Sequence, residues 1–116
     1  LFDVLTETAD PGRLADLAAI PGALDVLVTG LVDAVPQGLD GLVRDLELQV
    51  EPPDVDWSAA TAPVDLWYGE RDTTAPPAFG AWWADALPHA ILQVVPGAGH
   101  LIALTHWTQI LHQLTA

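Results

Sequence analysis

The sequence has no cysteine, no methionine and no lysine, and a single serine. Without cysteine there can be no disulfide, no thiolate nucleophile and no cysteine-based metal site. Without lysine, the 3 basic residues are all arginine and stand against 16 acidic ones, for a net charge of −13. That balance repels phosphate backbones and anionic membrane surfaces, so no nucleic acid is expected as a partner. Apolar runs of membrane length are missing too. The best candidate is broken by Asp25, Thr29 and Asp33, and no membrane span is expected. The one serine, Ser58, sits between Trp57 and Ala59 with no glycine elbow around it, which makes it a poor nucleophile. Gly38-Leu39-Asp40-Gly41 is no elbow either, since no strand precedes it. There is no internal repeat and no low-complexity tract.

What is present is apolar content for a core, 51% of 116 residues, enough for one domain or less. The first half reads as helices. Residues 1–9 suggest a helix end. Asp10-Pro11-Gly12 reads as an N-cap followed by proline at the first helical position, with Leu14, Leu17 and Ala18 on one face. Pro21-Gly22 breaks that helix. Leu24, Leu27, Val28, Leu31, Val32 and Val35 then share a stripe, which predicts a helix over 22–35 ended by Pro36. A third helix is predicted over 38–48, with Leu39, Leu42, Val43 and Leu46 on one face and Asp40 and Arg44, four apart and able to pair, on the other. Glu51-Pro52-Pro53-Asp54-Val55-Asp56 cannot continue a helix and marks a linker. One short helical turn is expected from Asp56.

The second half changes grammar. Strands are predicted over 63–68 and 91–95, nearly continuous in apolar residues as buried parallel strands are. A helix over 77–87 connects them, and a last helix spans about 103–115, presenting Leu104, Trp107, Leu111 and Leu114, with Ile110 beside them, to the sheet. Of the adjacent pair Trp82-Trp83, one packs on the sheet and the other lies at an edge. Each predicted strand runs into a turn that carries chemistry. After the first come Gly69-Glu70-Arg71-Asp72; after the second come Pro96-Gly97-Ala98-Gly99-His100. An acid and a histidine on neighbouring strand-end turns form the acid–base half of a catalytic triad. Asp65, Glu70 and Asp72 are the competing acids. His100, His106 and His112 are evenly spaced, but steps of six turn a helix by about 240° net, so they do not converge as metal ligands. His89 reads as a solvent-side turn residue.

Strand, turn, acid, helix, strand, turn, histidine and closing helix come in the order of one family. Residues 62–116 resemble the C-terminal end of an α/β-hydrolase, through Ala62-Pro63-Val64, Tyr68-Gly69-Glu70-Arg71-Asp72, Pro76 and Val95-Pro96-Gly97-Ala98-Gly99-His100. The resemblance implies that Asp72 is the triad acid and His100 the triad histidine. It also implies that 1–50 belong to a helical cap or lid, 51–61 to a linker and 62–116 to the C-terminal βαβα part of the core. The family's G-x-S-x-G is absent, so the resemblance puts the nucleophile, serine or aspartate, upstream. The fold expected is therefore α/β: two parallel strands with a crossover and C-terminal helix, preceded by cap helices.

On this reading the parent hydrolyses an ester, amide or similar bond in a small-molecule substrate, with no metal or organic cofactor. The chain alone is expected to be inactive. It is also expected to need the upstream half of the fold, or an oligomer, because two strands covered on one side leave a bare edge. Leu31, Val32, Leu42 and Val43 are candidates for an acyl pocket, or simply for cap packing. A cytoplasmic location is the working expectation. The rival reading is a non-catalytic acidic interaction module, or a degenerate hydrolase relative.

Overall fold

A computed structural model describes residues 11–50 and 53–115. The expected helix end over 1–9, the Asp10 cap and the Glu51-Pro52 part of the linker lie outside them. The first helix, α1 (Pro11–Ala19), begins on its proline, and Gly22 in a left-handed conformation starts α2 (Ala23–Ala34). Helix α3 (Asp40–Val50) follows, and Arg44 pairs with Glu47 at 3.1 Å rather than with Asp40. A single 3₁₀ turn (Trp57–Ala59) is capped by Asp56, whose Oδ1 accepts from the Ser58 amide at 3.1 Å and from its hydroxyl at 2.6 Å.

Strand β1 (Val64–Gly69), helix α4 (Pro77–Ala86), strand β2 (Ala90–Val95) and helix α5 (Ile102–Leu114) complete the chain. The strands are parallel, in register from Val64 opposite Ala90 to Gly69 opposite Val95. Parallel neighbours require a crossover, which α4 supplies. The α/β architecture is thus the one expected.

Alternation along the strands sorts the two faces. Tyr68 and Leu92 meet α4 at Gly80, where a Cβ would overlap both side chains. On the opposite face, Gln113 of α5 donates to Asp65 and accepts from Gln93, both at 2.6 Å, and the His106 ring lies 6.4 Å from that of Trp67. A helix therefore lies against each face of the sheet, not one face only, while Ile91 and Val94 stay exposed. The stripe that α5 turns inward is Ile102, His106, Ile110 and Gln113, one step round from the expected apolar stripe. Trp107, Leu111 and Leu114 are exposed instead. Helix α5 is also interrupted at His106, where φ is −117° and ψ 15°. Thr105, one residue before, bonds its hydroxyl back to the Ile102 carbonyl at 3.2 Å, a contact of the kind that bends helices. Trp83 is half-buried and stacks edge-on with Trp57 at 5.0 Å, whereas Trp82 is exposed.

The deepest burial lies not between sheet and helices but at the carboxyl ends of the strands. Among the described residues the buried apolar side chains are Ala23, Ala98 and Ile102, and the buried acids are Asp16 and Asp72. Gly12, Gly69 and Gly99 are buried beside them. Helix α1 does not turn Leu14 and Ala18 inward, as its pattern suggested. It presents Gly12 and Asp16 to the turn after β2, because two small or polar residues allow backbone to approach backbone there. Helix α3 has no buried residue, and Leu31 and Val32 of α2, with Val35 just beyond its end, are exposed. Among the described residues no single helix is long and apolar enough to cross a membrane.

Candidate active site

The site grows from two turns stitched together by backbone. After β1, the Glu70 amide donates to the Val95 carbonyl at 3.0 Å and the Arg71 amide to the Ala98 carbonyl at 2.9 Å. The Glu70 carboxylate returns to accept from the Gly97 amide at 2.9 Å. Glu70, a competing acid in the sequence, is thus spent on the turn. Asp65 is spent on Gln113. Gly97 has φ +73°, which glycine adopts without strain and other residues rarely do. Gly99 lies against the backbone of Gly12, so closely that any Cβ would overlap it.

Asp72 and His100 meet across these turns. The Nδ1 of His100 lies 2.9 Å from Oδ2 of Asp72. The other oxygen, Oδ1, accepts from the Thr74 and Ala75 amides, each at 2.8 Å. The Asp72 side chain is 6% exposed and that of His100 34%. Burial pushes the Asp72 carboxyl up. The amide of Ala75, the imidazole and the amide of Thr74 outweigh that, with help from the charge His100 can carry, and its pKa is lowered from the ordinary 3.8. An ionised Asp72 only accepts, so it draws the proton of a neutral imidazole to Nδ1 and leaves Nε2 as the free acceptor.

His100 borders a cavity of about 250 Å³ lined by Arg13, Leu17, Leu24, Leu27, Leu31 and Leu101. Leu31 was anticipated as a lining residue. Leu42 borders a separate cavity between α2 and α3.

Sequence reasoning missed Asp16. On α1, 4% exposed, it accepts from the Gly99 amide at 3.1 Å through each oxygen and from the Leu101 amide at 2.9 Å through Oδ2. Three residues earlier on the same helix, Arg13 donates to the Thr74 hydroxyl at 3.0 Å on the acid turn. His106 and His112 do not join His100, and no group of three His, Asp or Glu suited to a metal gathers among the described residues.

Comparison with known proteins gives short, divergent similarities. The chain is 38% identical over 92 residues to a methionyl-tRNA formyltransferase of Parafrankia sp. (strain EAN1pec), covering 71% of this chain and 28% of that protein. It is 43% identical over 44 residues to a pimeloyl-[acyl-carrier protein] methyl ester esterase of Chromobacterium violaceum, covering 38% of this chain and 17% of that protein. The chain therefore spans less than a third of either relative. No family model matches, and no solved structure does. The class that fold and comparisons define is a partial α/β sheet preceded by helices, with a partial similarity to an esterase.

Proposed function

We propose that this chain is the acid–histidine part of an α/β-hydrolase that cleaves an ester, amide or similar bond through a nucleophile–histidine–acid triad. The observation that carries the reading is the buried Asp72 carboxylate held by two amides while its free oxygen meets Nδ1 of His100 at 2.9 Å. His100 removes the proton of a nucleophile outside this chain, or activates the hydrolytic water if that nucleophile is an aspartate. Asp72 fixes the tautomer and stabilises the imidazolium that forms. The helices of 1–50 act as a cap. Their leucines beside His100 suit an apolar acyl or alkyl group, each buried methylene of which contributes about 0.8 kcal/mol.

The formyltransferase similarity favours a second reading, acyl transfer to an acceptor other than water. The same base serves either acceptor, and hydrolysis is preferred on the esterase similarity. The test uses the intact protein, with about 150 further upstream residues, a domain's worth. A strand–G-x-S-x-G–helix or its aspartate equivalent should be found there. Hydrolysis of p-nitrophenyl esters should vanish in His100→Ala and fall about 10⁴-fold in kcat in Asp72→Asn. Full activity in both variants would remove Asp72 and His100 from the mechanism, whereas no hydrolysis by the intact wild-type protein would leave a non-catalytic relative of the fold.

A further inference from the structure

We propose that Asp16 is a positioning residue for His100, fixing the backbone on both sides of the imidazole; this rests on the hydrolase reading above. His100 stands between Gly99 and Leu101, and one buried carboxylate takes the amide protons of both neighbours. The histidine Cα cannot shift without breaking hydrogen bonds to a charged group, which are about twice as strong as neutral ones. The ring is held from the other side by Asp72. Two buried acids therefore divide the work: one sets the imidazole proton, the other sets where the imidazole sits.

Further observations point the same way. A carboxylate 4% exposed is costly to bury unless its oxygens are satisfied, and among the described residues the bonds its oxygens accept all come from the histidine turn. Gly12, one helical turn before it, is bare enough for Gly99 to lie against its backbone, so α1 is shaped to that turn at two successive positions. Arg13 reaches the acid turn from the same helix, through Thr74, whose own amide bonds Asp72. A misplacement of about 1 Å at a base can lose about 100-fold in rate.

The competing account is that Asp16 merely caps α5, since Leu101 stands just before that helix as its cap residue and offers no side-chain cap of its own. The two accounts separate in the intact protein by kinetics and by the NMR resonance of the hydrogen-bonded His100 Nδ1 proton. Asp16→Ala should lower kcat about tenfold or more with KM within about twofold, and should broaden or shift that resonance. Asp16→Asn, which keeps size but sets an NH₂ against one of the amides, should fall between wild type and alanine in both readouts. Wild-type kcat with an unmoved resonance in Asp16→Ala overturns the proposal and leaves a cap. If the alanine variant does not fold, the asparagine variant decides alone: unchanged kcat and resonance overturn it. Should His100→Ala and Asp72→Asn retain activity, the triad reading on which this rests fails instead, a result distinguishable from normal kinetics in the Asp16 variants alone.

Discussion

Asp72 carries more than one duty for a single side chain. Its Oδ1 closes the turn after β1 through the Thr74 and Ala75 amides, and its Oδ2 meets the imidazole. These contacts favour the charged form over the neutral one, against the push of burial, and hold its pKa below 3.8. A carboxyl whose folded pKa is depressed adds stability that is fully present above the unfolded value. That stability is lost as the pH falls through the folded value. Asp72→Asn removes the titration. Urea unfolding of both proteins should therefore show a stability gap that is constant near neutrality and narrows as the pH drops below about 4. A gap that stays the same width down to the acid limit would mean that Asp72 is not held in its charged form by the fold.

At the scale of elements, the histidine turn depends on two glycines for different reasons. Gly97 needs a positive φ, and Gly99 needs the absence of a side chain against α1. Gly97→Ala forces a left-handed alanine, which costs about 1 kcal/mol or more. Nothing else stands within reach of the added methyl. Its effect should therefore be a modest loss in urea midpoint with the fold intact. Gly99→Ala must also separate the turn from Gly12, so it should lose more and should weaken the Asp16 bonds as well. Equal losses in the two variants would refute this division of roles.

The elements themselves were legible because their punctuation is chemical: Pro11, Pro21-Gly22, Pro36 and Pro96 stand at or beside the observed breaks. Asp72 and His100 were legible because the turn signals place both at strand ends. The inward stripe of α5 was not. Hydrophobic periodicity identifies an apolar face but not what covers it, and here His106 and Gln113 find ring and amide partners on the two strands. Asp16 was silent for a different reason. A lone aspartate in a short helix has no pattern, and the amides it holds lie 83 and 85 residues along the chain.

On the scale of the whole molecule, surface tells more than pattern. The accessible surface is 8258 Å² for a 12.3 kDa chain. A compact monomer of that mass exposes about 6,100 Å². The radius of gyration, 16.2 Å, likewise exceeds the roughly 13 Å of a compact domain this long. The excess area, about 2,000 Å² on one chain, is more than the roughly 800 Å² that each partner buries in a standard protein–protein interface. The apolar faces of α3 and α5 lie bare, with Leu39, Leu42, Leu46, Trp107 and Leu114 each more than half exposed. The chain by itself should therefore self-associate, and an upstream core half supplied in trans should compete with that association. The charge of −13 opposes it. Because repulsion between exposed charges is screened while apolar contact is not, raising the salt should strengthen association rather than dissolve it. Sedimentation velocity over a hundredfold range of concentration reads this directly. The mass should climb with concentration, and climb further at about 0.5 M salt, where the screening length is well under 10 Å. A single monomeric species throughout would show that these faces are tolerated in water and that no partner surface is needed to cover them.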